Sequence, residues 1–164
     1  MNLIAAVDKN WGIGYKGELL CHIKEDMKFF REKTEGKCVI MGKATFLSLP
    51  GKKPLKNRKN IILTTDENFK VEGADVCSSF EKAAKIARAE FDENDIFIIG
   101  GEKVYNENLD YCTTAYITKI EKIFEADKHI INLESLDNWE VEREEEVVCE
   151  NGLKIFFKKF GKRY

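Results

Sequence analysis

The 164-residue sequence has no apolar run beyond about five residues, far short of the twenty or so that a bilayer-spanning helix needs. Its five cysteines (Cys21, Cys38, Cys77, Cys112 and Cys149) are odd in number, widely spaced and without a Cys-x-x-Cys pair. That pattern argues against a disulfide framework and against a thiolate zinc site. Only two histidines are present, His22 and His129, too few for a His-based metal centre, so no metal is expected. Neither charge dominates. A net charge of −2 with no obvious basic face removes the electrostatic motive for binding nucleic acid or an anionic membrane. Residues Met1 to Asp8 lack the basic and long hydrophobic regions of a secretion signal, and reduced thiols with no leader predict a cytoplasmic protein. Repeats, low-complexity tracts and linkers are also missing, which predicts a single domain over 1–164. What remains is ordinary for a soluble globular chain, 43% hydrophobic and 34% charged. No apolar stripe demands a dimer, so a monomer is the expectation.

The apolar residues fall into short blocks. Leu3–Val7, Cys38–Met41, Asn60–Leu63 and Ile96–Ile99 read as strands buried on both faces, with the last the most hydrophobic and therefore central. Ala74–Cys77 is a weaker strand and Thr114–Ile120 a further one. Between them lie helical segments: one from about Ile23 to Thr34 with Gly36 as its stop, and short ones at Gly42–Ser48 and Glu102–Asn106. A fourth is opened by Ser78-Ser79-Phe80-Glu81, read as a capping box, and buries Phe80, Ala83, Ala84 and Ala87. Asp8 to Glu18, with three glycines, is a long loop of the kind that closes over ligands, and 50–58 is a basic turn-rich loop holding both prolines. Trp139–Cys149 and Leu153–Phe160, joined through Asn151-Gly152, form a hairpin. The alternation predicts an α/β fold. It has a central, mostly parallel, twisted sheet of about eight strands, helices on both faces and a C-terminal antiparallel hairpin.

One acid stands out. At roughly 100° per residue, Asp26 falls among Ile23, Phe29, Phe30 and Met27, while Lys24, Glu25, Lys28 and Glu32 take the opposite half of the helix. A carboxylate inside an apolar stripe has a partner or a job, or lies at the stripe's wet edge. Ligands on such sheets bind beyond the carboxyl ends of the strands. Two junctions there suit phosphate: Ile99-Gly100-Gly101-Glu102 and Met41-Gly42-Lys43-Ala44-Thr45, with Thr64-Thr65 after a third strand. Neither junction matches a dinucleotide fingerprint or a Walker loop, and either alone is equally a tight turn. Arg58 can receive a carboxylate in bidentate fashion or simply belong to a solvated basic loop.

The order of these pieces resembles bacterial dihydrofolate reductase over essentially the whole chain. Seven segments carry the resemblance: Leu3-Ile4-Ala5-Ala6, Ile13-Gly14, Asp26-Met27-x-x-Phe30, Val39-Ile40-Met41-Gly42-Lys43-x-Thr45-Phe46, Arg58-Lys59-Asn60-Ile61-Ile62-Leu63, Ile98-Ile99-Gly100-Gly101-x-x-Val104-Tyr105, and Tyr116-Ile117-Thr118-Lys119-Ile120. The resemblance implies NADPH-dependent reduction of 7,8-dihydrofolate to tetrahydrofolate, with hydride delivered to C6 and a proton to N5. It makes Asp26 the site's one ionisable acid, paired with the pterin amino group and N3 and supported by Thr118. Ile4, Ala5, Met27, Phe30, Leu49, Leu55, Ile99 and Tyr105 would line the substrate, and Arg58 would hold its α-carboxylate. Ala6, Ile13, Gly14 and Leu19 would lie at the nicotinamide end. Gly42, Lys43, Ala44 and Thr45 would flank the pyrophosphate with Gly100, Gly101, Glu102, Lys103, Val104 and Tyr105. Leu63, Thr64 and Thr65 would reach the adenosine, the two threonines facing its 2′-phosphate. A cis Gly100-Gly101 bond is implied too.

Departures accompany the match. Leu20-Cys21 stands where the family usually has Pro-Trp, and Cys21 reads as a small buried filler. Asp66 and Cys77 occupy positions where the family places cations, leaving Lys43 as the main one. Asp127 is positioned to hydrogen-bond to the glycine-bearing loop, and His129 reads as structural. Two other functions stay open on the residues alone: reduction of another pterin or of an aminopyrimidine ribose intermediate, and non-catalytic nucleotide binding.

Overall fold

Short apolar runs with side chains alternating every second residue must bury both faces, and that requirement organises the computed structural model, which describes residues 1–164. The elements are β1 (Asn2–Val7), β2 (Gly12–Tyr15), β3 (Glu18–Leu19), α1 (Lys24–Thr34), β4 (Cys38–Gly42), α2 (Lys43–Leu47), β5 (Lys59–Leu63) and β6 (Asp75–Cys77). They continue with α3 (Phe80–Glu90), β7 (Ile96–Gly100), α4 (Glu102–Glu107), β8 (Thr114–Ile120), β9 (Lys128–His129), β10 (Trp139–Val148) and β11 (Lys154–Lys162). The main sheet has eight strands in the order β10-β11-β8-β1-β7-β4-β5-β6. From β8 to β6 all neighbours are parallel, while β11 runs antiparallel to β8 and β10 antiparallel to β11. This is the expected architecture, with β7 in the middle.

Alternation sorts the core onto two faces. Leu3, Cys38, Ile40, Ile61, Ile96 and Ile98 join one cluster with Phe80, Ala83, Ala84 and Ala87 of α3 and Tyr105 of α4. Ile4, Val39, Met41, Ile62 and Phe97 face the other way, against Phe46 of α2 and the partly buried Phe29 and Phe30 of α1. β4 connects through α2 to β5 on one side, whereas β7 connects through α4 back to β8 on the other. Connections that diverge in this way leave a crevice outside the carboxyl ends of β4 and β7.

Some local expectations shift. Ile23 is not helical; it is the extended residue before α1 and is buried in its own right. The capping box is displaced by one residue: Ser79 caps α3 by accepting from the Lys82 backbone N–H, so Lys82 and not Glu81 holds the third helical position. Burial of Phe80, Ala83, Ala84 and Ala87 sets that phase, and the reciprocal carboxylate bond is lost. The loop after β1 is also more ordered than glycine content suggests, because β2 pairs with β3 and with β9 in a small second sheet. Two-residue strands carry no readable periodicity. The terminal hairpin turns through Gly152 at φ +83, where Cys149 donates to Leu153 O at 2.8 Å.

Ile98 is fully buried in the central strand. Ile98→Ala should therefore lower unfolding free energy by about 3 kcal/mol in urea titration, with the slope unchanged. A loss below about 1 kcal/mol would contradict this placement of the core.

Candidate active site

The crevice is a groove of about 850 Å³. Ala5 and Ala6 from the end of β1, Ile13, Gly14 and Leu19 from the glycine-bearing loop, and Ile99 from β7 form part of its wall. Gly42 to Thr45, Leu63 to Thr65 and Gly100 to Tyr105 complete the stretches expected from sequence. Thus every residue expected at a cofactor comes to one surface. The backbone there is close-packed by design of its glycines. A Cβ on Gly42 would lie 3.2 Å from Val104 Cγ2, and one on Gly100 or Gly101 would lie 3.2 Å from Thr45 Oγ1. Gly100-Gly101 is cis, as the resemblance implied, and Gly100 sits at φ +129, a backbone conformation that suits glycine. The result is a cradle of bare backbone with a hydroxyl against it, a donor set that fits the phosphates of a dinucleotide.

Asp26 does not itself line this groove but lies near Tyr105, which does. Register places Thr118 beside Ala6, and Thr118 is only 1% exposed. Asp26 itself is half-buried, and desolvation raises its carboxyl pKa, with the Thr118 side chain as hydrogen-bonding neighbour pulling it partly back. Tyr105 completes the corner. Its hydroxyl donates to the carbonyl of Ile4 at 2.7 Å, and burial, helped by the negative charge of Asp26, pushes the phenol far above its ordinary value. Tyr105 therefore acts as a fixed wall and hydrogen-bond donor.

The remaining residues expected at the substrate lie outside the groove's wall, on the α1 side of the sheet. Phe30, Leu49 and Leu55 are partly buried against the cluster that contains Ile4 and Phe46. Met27 is 55% exposed and Leu19 60%, so both stand at a rim. Arg58 is half-buried and held: Nε donates to Lys56 O at 2.8 Å and Nη1 to Thr34 Oγ1 at 3.1 Å. Thr34 in turn donates to Phe30 O at 2.8 Å. Burial lowers the guanidinium pKa and Glu35 opposes that, while an arginine this basic stays charged. Sequence reasoning missed Thr34, whose only signal is a hydroxyl in the last turn of a helix.

Two acids fix the glycine-bearing loop. Asp8, 1% exposed, accepts from Gly12 N at 2.8 Å and Asn10 N at 2.9 Å through Oδ1, and from Phe124 N at 3.0 Å through Oδ2. Asp127 Oδ2 accepts from Lys16 N at 3.0 Å, the pairing expected from sequence. Asp8 was not singled out, although an Asp four residues before a glycine is a turn signal. His129 is exposed and engaged only through its backbone, with Glu102 and Asn106.

Comparison with known proteins matches this arrangement. The dihydrofolate reductase family profile covers residues 1–162. The chain belongs to the dihydrofolate reductase family. It is 42% identical over 121 residues to the dihydrofolate reductase of Buchnera aphidicola, covering 74% of this chain and 72% of the relative. It is 33% identical over 141 residues to that of Bacillus subtilis, covering 86% and 80%. The solved dihydrofolate reductase from Enterococcus faecalis, complexed with NADP(H) and RAB-propyl, superposes with a TM-score of 0.89 at 29% identity, covering 99% of this chain and 96% of that one.

Against the dihydrofolate reductase pattern, Cys21 is half-buried beside the cluster of Ile23, Ile120, Cys149 and Ile155, as a filler would be. It does not line the groove. Lys43 is paired with Asp66, Nζ to Oδ2 at 3.1 Å, which ties up the cation expected to serve the cofactor.

The raised pKa of Asp26 has a stability consequence. The folded state holds this proton more tightly than the unfolded chain, so stability falls as pH rises from the ordinary value of 3.8 through the raised one. Asp26→Asn should therefore raise the unfolding temperature at neutral pH, the gain shrinking to nothing in acid. Equal stability of the two proteins at every pH would contradict the desolvation of Asp26.

Proposed function

We propose that this dihydrofolate reductase family member reduces 7,8-dihydrofolate to 5,6,7,8-tetrahydrofolate with NADPH. The observation that carries the proposal is a half-buried acid, backed by a buried threonine, close to Tyr105 in the wall of a groove suited to a dinucleotide. NADPH, when bound, supplies the hydride that goes to C6 of the pterin.

The chain's own residues do the rest. Asp26 clamps the pterin amino group and N3, and Thr118 supports the carboxylate. A negative charge in a dry pocket raises the proton affinity of nearby nitrogen, so Asp26 acts as clamp and as the charge that favours a proton at N5, which arrives through solvent. Ile4, Ala5, Met27, Phe30, Leu49, Leu55, Ile99 and Tyr105 enclose the pterin and benzoyl parts. Arg58, already oriented by Thr34 and Lys56, receives the α-carboxylate. Ala6, Ile13, Gly14 and Leu19 shield the nicotinamide end from water. Gly42 to Thr45 and Gly100 to Tyr105 offer backbone N–H groups and the Thr45 hydroxyl to the pyrophosphate, and Leu63 to Thr65 bound the adenosine.

Residues 1–164 act as one domain, since the main sheet takes strands from Asn2 through Lys162. The partners are small molecules, the working state is a monomer in the cytoplasm, and neither nucleic acid nor membrane is bound. No helix is long and apolar enough to cross a membrane. A phosphorylated aminopyrimidine substrate would want cations at the acid's end, whereas apolar Phe30, Leu49 and Leu55 with one oriented arginine suit a benzoyl-glutamate tail.

Loss of NADPH absorbance with and without dihydrofolate tests the proposal. Turnover should require dihydrofolate, and Asp26→Asn should cut it about a hundredfold or more at neutral pH. The hydride step should slow as pH rises, because N5 must hold a proton drawn from solvent when the hydride arrives. Binding without turnover, or preference for an aminopyrimidine ribose phosphate, would overturn it.

A further inference from the structure

At its far end the groove adjoins a second depression of about 620 Å³, and Thr64, Thr65 and Ser78 line both. The hydrogen bonds there share one polarity. Thr64 Oγ1 accepts from Asp66 N at 3.1 Å, Ser78 Oγ accepts from Lys82 Nζ at 3.0 Å, and Ser79 Oγ accepts from Lys82 N at 3.2 Å. A hydroxyl has one proton to give, and each of these has used acceptor capacity while keeping that proton. Each keeps a proton that an anion can accept; of the carboxylates lining the depression, Asp66 and Asp75 are paired with Lys43 and Lys59, and Glu67 is exposed.

Three lysines lie at this end of the groove, and the structure separates them. Lys43 is neutralised by Asp66 at 3.1 Å, and its Nζ lies 4.7 Å from the Phe69 ring centroid. Lys82 forms no ion pair, and its only side-chain bond is to the neutral Ser78 hydroxyl, leaving two ammonium protons and its full charge. Lys70 lines the same depression but has no bond that fixes it. Asp66, the acceptor that a ribose hydroxyl would prefer, is itself occupied by Lys43 and by the Asn68 backbone N–H at 3.0 Å.

We infer that Lys82, fixed on Ser78 and joined by Thr64 and Ser79, is the specificity-determining cation for a phosphomonoester on the adenosine ribose, in place of the cations absent at Asp66 and Cys77. The inference rests on the cofactor reading above. It puts the recognising charge in the first turn of α3, where the main-chain cap and the side-chain bond of one lysine hold two serines at once.

Calorimetric titration of the ligand-free full chain with adenosine 2′,5′-bisphosphate and with adenosine 5′-monophosphate tests this. Wild type should prefer the bisphosphate. Lys82→Met should weaken bisphosphate binding about tenfold, the loss of one charged hydrogen bond, while Lys70→Met changes it less than about threefold. Affinity for the monophosphate should be the same in all three proteins. A Lys82→Met protein that keeps the wild-type preference, or a Lys70→Met protein equally impaired, would overturn the inference alone. A wild type with no preference would overturn the cofactor reading and the inference with it.

Discussion

Asp26 is held where water is scarce, and a carboxylate in such a place costs the fold stability unless its proton stays on. Much of the surrounding structure depends on tolerating that. α1 is anchored mainly by packing: Phe29 lies tilted against Phe157 of β11 with centroids 4.6 Å apart, and Phe30 joins the cluster under the sheet, while Arg58 bonds Thr34 in its last turn. That packing fixes the height of Asp26 above β8, where Thr118 is its neighbour. Tyr105 reaches from α4 to the Ile4 carbonyl on β1, so β1, β8, α1 and α4 meet around one carboxyl group. A hydrophobic residue at position 26 would satisfy the fold better. Its replacement by an acid is a local conflict of the sort that functional sites carry.

The dinucleotide groove obeys a different constraint, the close approach of backbones. β4 and β7 are adjacent and parallel, with a register shift between Ile40 and Met41 that sets Met41 opposite Gly100. Side chains at Gly42, Gly100 and Gly101 would fill the space between the strand ends, so their absence makes the cradle. The glycine-bearing loop above it is anchored by Trp11, which is buried in the core edge-on to Phe160 at 6.1 Å. Asp8 adds to that order through three main-chain N–H groups and Asp127 through one, and a buried carboxylate with three such donors is well satisfied.

Much of this was legible in the residues, for identifiable reasons. Strands such as Cys38–Met41 and Ile96–Ile99 are apolar because both faces are covered, and the burial of Phe80, Ala83, Ala84 and Ala87 has the helical period. The paired glycines and Asp26 broke local rules, which is why they could be singled out without knowing a ligand. Family resemblance then supplied their roles. Features that depend on one hydrogen bond between distant residues were not legible. Thr34 orienting Arg58 and Asp66 capturing Lys43 span 24 and 23 residues, and no local pattern marks either pair. The cap of α3 was misplaced by one residue because Ser78 and Ser79 are both good caps, and only burial chose between them.

Carbon-13 NMR of the Asp26 carboxyl carbon, assigned by its disappearance in Asp26→Asn, tests the central claim most directly. The titration midpoint should lie above the ordinary 3.8, and replacing Thr118 with valine should move it higher still, because the partner that favours the charged form is removed. A midpoint at or below 3.8, or one indifferent to Thr118, would contradict the account.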